Sequence, residues 1–133
     1  MNFKIYLKYM KKVCIIEDEV NLSEMYKILF EQEGYEVRCA FDGESGLKLI
    51  EEYKPDLVLL DIMMPKMDGY EVLRRLKCHR LNENMLICVL SNLDQRQDME
   101  KVFDLGARHY FVKSHITPRN LLNRLDRIVA FAN

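Results

Sequence analysis

The sequence predicts an α/β protein built on a doubly wound, five-stranded parallel sheet, and two observations carry that prediction. Short apolar runs alternate five times with stretches of helical periodicity, which is how successive βα units read in a sequence. The first, third and fourth runs are almost continuously hydrophobic, as strands covered by helices on both faces must be, whereas the second and fifth are mixed.

The strands are expected at Val13 to Ile16, Tyr35 to Ala40, Leu57 to Leu60, Met85 to Leu90 and Arg108 to Val112. In the second, Tyr35, Val37 and Cys39 alternate with Glu36 and Arg38. In the fifth, Arg108 and His109 precede Tyr110, Phe111 and Val112. These two read as sheet edges and the other three as its centre. Helix starts are legible as capping pairs at three-residue spacing: Asn21 with Glu24, Asp68 with Glu71, and Asp94 with Gln97. Thr117 followed by Pro118 marks the last helix, since proline suits the first helical position.

Apolar residues then recur on one face of each of these helices: Leu22, Met25 and Leu29; Val72, Leu73 and Leu76; Met99, Val102 and Phe103; Leu121, Leu122, Leu125, Ile128 and Val129. Such stripes face a core. Gly34 and Gly106 stand where left-handed residues would close the first and fourth helices. The second helix, from about Asp42 to Tyr53, is weakened by Gly43 and Gly46.

A length of 133 residues suits one domain, and 49% hydrophobic with 31% charged residues sets aside disorder, collagen and coiled coil. Twenty basic against twenty-one acidic residues leave a net charge of −1, so the surface as a whole is not built to hold nucleic-acid phosphates. The four cysteines form no CxxC pair and no zinc spacing; they read as reduced thiols, and a cytoplasmic location is expected. No apolar stretch approaches the ~20 residues of a membrane span. Lys4, Lys8, Lys11 and Lys12 begin the chain without an acid among them, but no long apolar run or small-residue cleavage site follows. Residues 1–10 are read as an N-terminal extension and residues 11–133 as the domain. The chain ends at Asn133 directly after the fifth helical pattern, so a stand-alone domain is expected.

In an open parallel sheet, ligands gather beyond the carboxyl ends of the strands. Here the first strand runs into Glu17, Asp18 and Glu19, the third into Asp61, the fourth into Ser91 and the fifth into Lys113. Carboxylates so clustered repel one another unless a cation sits among them, and an all-oxygen set suits Mg²⁺. An ionised aspartate can attack phosphorus to form an acyl phosphate, while an ammonium and a hydroxyl can hold the oxygens that gain charge. Acids after strands also cap helices, but Asp61 precedes Met63, Met64 and Pro65 rather than a helix start, so capping explains it poorly.

These residues resemble the receiver domains of two-component response regulators, particularly the single-domain chemotaxis type. The resemblance rests on Ile15 to Glu19 (IIEDE), Leu59 to Lys77 (LLDIMMPKMDGYEVLRRLK), Leu90 to Asn92 (LSN) and Gly106 to Ser114 (GARHYFVKS), and covers about Lys11 to Ala130. It implies a flavodoxin-like three-layer sandwich with strand order 2-1-3-4-5. It further implies that Asp61 accepts a phosphoryl group from the phosphohistidine of a kinase or phosphotransfer protein. Mg²⁺ would be held by Asp18, Asp61 and the Met63 backbone carbonyl, with Glu17 reaching it through water. Ser91 and Lys113 would contact the phosphate, and Tyr110 would be an aromatic switch.

The resemblance makes the protein a signalling switch rather than an enzyme, its output a downstream effector protein bound at the fourth helix, fifth strand and fifth helix. It implies no direct nucleic-acid or membrane contact, and a monomer or a phosphorylation-dependent dimer. Three departures stand out. Ser114 replaces the usual proline, implying a more mobile loop; Asn92 replaces a small residue and narrows access to Asp61; and apolar Met63 and Leu93 align no attacking water, implying slow self-dephosphorylation.

Two other chemistries use the same architecture. A haloacid-dehalogenase-like phosphatase needs a second acid two residues after its nucleophile, where this chain has Met63. A flavin or nucleotide domain wants a Gly-rich or hydroxyl-rich phosphate loop after the first strand, where Glu17, Asp18 and Glu19 would repel a phosphate. A receiver kept only as a scaffold would not need Asp18, Asp61, Ser91 and Lys113 together.

Overall fold

A computed structural model describes residues 11–131, so the N-terminal extension read at residues 1–10 lies outside the described residues. Strands and helices alternate in the order β1 (Lys12–Ile16), α1 (Val20–Gln32), β2 (Glu36–Ala40), α2 (Gly43–Tyr53), β3 (Leu57–Leu60), α3 (Gly69–Cys78), β4 (Leu86–Ser91), α4 (Arg96–Asp104), β5 (His109–Val112) and α5 (Pro118–Phe131). A 3₁₀ turn, Lys113–His115, separates β5 from α5. All strand pairs are parallel and the order is β2-β1-β3-β4-β5, so the three continuous apolar runs are central and the two mixed ones are edges.

Because side chains alternate across a strand, the sheet feeds two cores. Cys14, Ile16, Val58, Leu60, Ile87 and Val89 pack with Val72, Leu73 and Leu76 of α3 and Val102 of α4. Val13, Ile15, Leu57, Leu59, Cys88 and Leu90 face Tyr26 and Phe30 of α1 and Leu121, Leu122 and Leu125 of α5. Burying each such leucine contributes roughly 1.5–3 kcal/mol.

Two of the expected helix starts are displaced. Asp68 caps α3 by accepting the Glu71 N–H at 2.9 Å, and Thr117 Oγ1 accepts the Asn120 N–H at 3.2 Å, both as the sequence suggests. Helix α1, however, starts from Glu19 rather than Asn21; the loop after β1 is only three residues long, and the Glu19 carbonyl already accepts the Ser23 N–H. Helix α4 starts from Gln95, whose N–H is held by the carboxylate of Asp98 at 3.3 Å, one residue past the expected Asp94 and Gln97 pair. Gly34 and Gly106 adopt φ of 96° and 102°, the left-handed closures expected of them.

All four cysteines are free thiols, and burial pushes Cys14 and Cys88 up from the ordinary 9.0 to about 12. This fixes the sign of an alkaline effect. Between about pH 9 and 12 the unfolded chain loses thiol protons that the native state keeps, so stability falls by about 1.4 kcal/mol per pH unit for each thiol. Urea midpoints should fall steadily from pH 9 to 10.5 and fall less in Cys88→Val; equal slopes in both proteins would contradict this.

Candidate functional site

The parallel register creates the site. Ile16 pairs with Leu60, so the next residues, Glu17 and Asp61, emerge side by side from the carboxyl ends of β1 and β3. Their backbones are locked in place, since the Asp61 N–H donates to the Ile16 carbonyl at 3.0 Å and the Glu17 N–H to the Ala40 carbonyl at 3.1 Å. At the next strand pair Ser91 is level with Val112, which puts Ser91 and Lys113 on the same rim.

Lys113 reaches back across β4 and β3. Its Nζ donates to Asp61 Oδ2 at 2.9 Å and to Glu17 Oε1, joining residues that are far apart in sequence. The other Asp61 oxygen, Oδ1, accepts the Ile62 N–H at 2.7 Å. Glu17 and Asp61 are buried, whereas Asp18 is exposed, so the cluster opens to solvent at Asp18. Burial pushes the Glu17 carboxyl up to about 8; Asp61 adds to the shift and Lys113 opposes it. Burial alone would lower the Lys113 ammonium, but its bonds to Glu17 and Asp61 outweigh that and hold it above its ordinary value.

The residues fit a hard divalent cation. One oxygen each from Glu17, Asp18 and Asp61 come within 4.8 Å of one another, and Glu17 Oε2 is buried with no hydrogen-bond partner. Oxygen-only donors of this kind match Mg²⁺. Met63 stands two residues beyond Asp61 in the following loop and is 63% exposed. That loop is pinned to α3. The Gly69 N–H donates to the Ile62 carbonyl at 2.8 Å, and a β-carbon on Gly69 would sit 2.5 Å from the Asp61 carbonyl oxygen. Only glycine allows this approach.

The remaining expected residues stand beside this cluster. Ser91 is fully buried, and its Oγ accepts the Leu93 N–H at 3.3 Å. Tyr110 lies half-buried against the core, and its hydroxyl donates to the Leu93 carbonyl at 2.6 Å, tying the β4–α4 loop to β5. Glu19, the third acid of the run, belongs to the start of α1 rather than to the cluster. Sequence reasoning passed over the Ile62 N–H, because a backbone donor leaves no residue signature, and it passed over Glu17 as a partner of Lys113. Residue 114 lies in the 3₁₀ turn that carries Lys113 away from β5.

Five parallel strands in this order, with an acid cluster and a lysine at their carboxyl rim, define a doubly wound α/β protein whose polar site lies at the strand ends. The model of the response regulator receiver domain matches residues 13–126, and the chain belongs to that family. It is 37% identical over 125 residues to the DNA-binding dual master transcriptional regulator RpaA of Synechocystis, covering 90% of this chain and 52% of that protein. It is 36% identical over 119 residues to the alkaline phosphatase synthesis transcriptional regulatory protein PhoP of Bacillus subtilis, covering 90% of this chain and 48% of that protein. The chain thus spans about half the length of these curated relatives. Among solved structures it resembles a CheY-like receiver domain protein from Methanospirillum hungatei, with a TM-score of 0.82, 30% identity, and coverage of 90% and 94% of the two chains. The chain is therefore a receiver domain of two-component signal transduction, a signalling switch. Among the described residues no helix is long and apolar enough to cross a membrane.

Proposed function

We propose that Asp61 is the phosphoacceptor of this receiver and that Glu17, Asp18, Asp61 and the Met63 carbonyl hold Mg²⁺ beside it. The observation that carries this reading is the convergence of three acids and the Lys113 ammonium at one rim of the sheet. Bound there, Mg²⁺ supplies positive charge against the phosphoryl oxygens.

The protein's own groups do the rest. An Asp61 carboxylate oxygen attacks phosphorus as the phosphorus–nitrogen bond of a partner's phosphohistidine breaks, and the imidazole departs with the bonding pair. The Lys113 ammonium, already beside Asp61, pairs with the new phosphate, and the Ser91 hydroxyl donates to one of its oxygens. Closure of Ser91 on the phosphate redistributes the β4–α4 loop and Tyr110 between two arrangements, so phosphorylation acts by population shift. The output is binding of an effector protein, through the surface of α4, β5 and α5, by a domain located in the cytoplasm that contacts neither nucleic acid nor membrane itself.

Intact-mass analysis tests this. With Mg²⁺ and acetyl phosphate the protein gains one phosphoryl mass, and with Mg²⁺ chelated it gains none. Exposed Met63 and half-buried Leu93 bring no polar group to orient water, so the adduct should outlast donor removal by minutes or more. A half-life of seconds would contradict that, and sustained turnover of phosphate esters would favour a phosphatase instead.

A further inference from the structure

Helix α4 is held by little apolar burial. Val102 is its one buried residue, and Phe103 is 44% exposed. What fastens it to α3 is polar. The Tyr70 hydroxyl, from the first turn of α3, donates to Asp98 Oδ1 at 3.1 Å. The other oxygen of the same carboxylate receives the Gln95 N–H that starts α4. Lys101, one turn further on, places its ammonium 3.9 Å from the centre of the Tyr70 ring, and at the far end Lys77 Nζ donates to the Asp104 carbonyl at 2.6 Å.

Asp98 is therefore a joint between two helices, and each side of the joint leads somewhere. Toward α3 it leads through Tyr70 to the adjacent Gly69, whose N–H holds the Ile62 carbonyl next to Asp61. Toward the loop before α4 it leads through Gln95 to Leu93, the residue that Ser91 and Tyr110 both engage. A hydrogen bond to an ionised acceptor is about twice as strong as a neutral one, so this contact weighs heavily in so lightly buried a helix.

We propose that Tyr70 and Asp98 form a latch that holds the first turn of α4 against α3, linking the Asp61 loop through Gly69 and Tyr70 to the α4 surface and meeting the contacts of Ser91 and Tyr110 at Leu93. Tyr70 and Asp98 are positioning residues, and the latch exists in the unphosphorylated protein, so it stands whether or not Asp61 is the phosphoacceptor.

Hydrogen exchange on the unphosphorylated full chain tests it. Tyr70→Phe keeps the ring and removes only the hydroxyl. Amides of residues 100–104 should exchange roughly tenfold faster, while those of β1 and β3 are unchanged. Asp98→Ala should do the same, and adding Tyr70→Phe to Asp98→Ala should change nothing more. The amide resonance of Leu93, whose N–H is held by Ser91 Oγ, should shift in both single variants. Unchanged exchange in α4, equal acceleration in β1 and β3, or a full Tyr70→Phe effect that persists without Asp98 would overturn the proposal.

Discussion

An Asp61→Asn protein should gain no phosphoryl mass from acetyl phosphate and Mg²⁺ under conditions that convert the wild type. The amide matches the carboxylate in size and can still accept the Ile62 N–H now held at 2.7 Å, so the fold survives the change. What disappears is an anionic oxygen able to attack phosphorus, and removing the nucleophile of a covalent step lowers its rate by at least about a hundredfold. The substitution also relieves the acid cluster. Burial would still raise the Glu17 carboxyl, but the part of the shift due to Asp61 is lost, so Glu17 should titrate lower. Persistent phosphorylation of Asp61→Asn at the wild-type rate would assign the chemistry to another residue.

Lys113→Met should have the second largest effect, on both rate and stability. Its ammonium contacts Glu17 and Asp61, and both carboxylates are almost completely enclosed. Removing one partner of a buried ion pair leaves charge uncompensated and costs about 3 kcal/mol. That loss is greatest above the range where Glu17 can take up a proton, so the variant should be weakest at alkaline pH in a chelator and recover as pH falls. Mg²⁺ should restore more stability to the variant than to the wild type, because no ammonium competes with it for the same oxygens. With Asp61 as phosphoacceptor, the loss of this charged donor should lower the phosphorylation rate by roughly a hundredfold. Thermal unfolding with and without Mg²⁺, together with the rate of mass gain, measures both effects. A variant as stable as wild type in the chelator would show that Lys113 does not balance the cluster.

Most of the architecture was legible because it rests on patterns that survive without tertiary context. Continuous apolar runs at residues 13–16, 57–60 and 85–90 read as strands covered on both faces, and that reading put Glu17, Asp61 and Ser91 at strand ends. The helix starts were less legible. Asn21 and Asp94 are both good capping residues, yet the short turn after β1 starts α1 at Glu19, and the Asp98 carboxylate starts α4 at Gln95. In α1 the backbone geometry of the short turn overrode the side-chain preference, and in α4 a competing pair at the same three-residue spacing, Gln95 with Asp98, took the place of Asp94 with Gln97.

The site shows the same division. That Glu17, Asp18, Asp61 and Lys113 meet could be read from residue types at strand ends, but the resting charge balance among them could not. That Lys113 binds Glu17 as well as Asp61 follows from the side-by-side emergence of β1 and β3, which no local spacing encodes. Likewise Tyr70 reads in sequence as one more residue of an amphipathic helix. Its hydroxyl acquires a role only when α4 is folded against α3.

Chemical trapping of the modified residue identifies the phosphoacceptor. Borohydride reduces an aspartyl phosphate to homoserine, so protein treated with acetyl phosphate and Mg²⁺, reduced and digested, reports which carboxylate carried phosphorus. Homoserine is expected at position 61 alone, and none when Mg²⁺ is chelated. Homoserine at position 18, or a phosphoryl group that resists reduction and maps to Ser91, would contradict it.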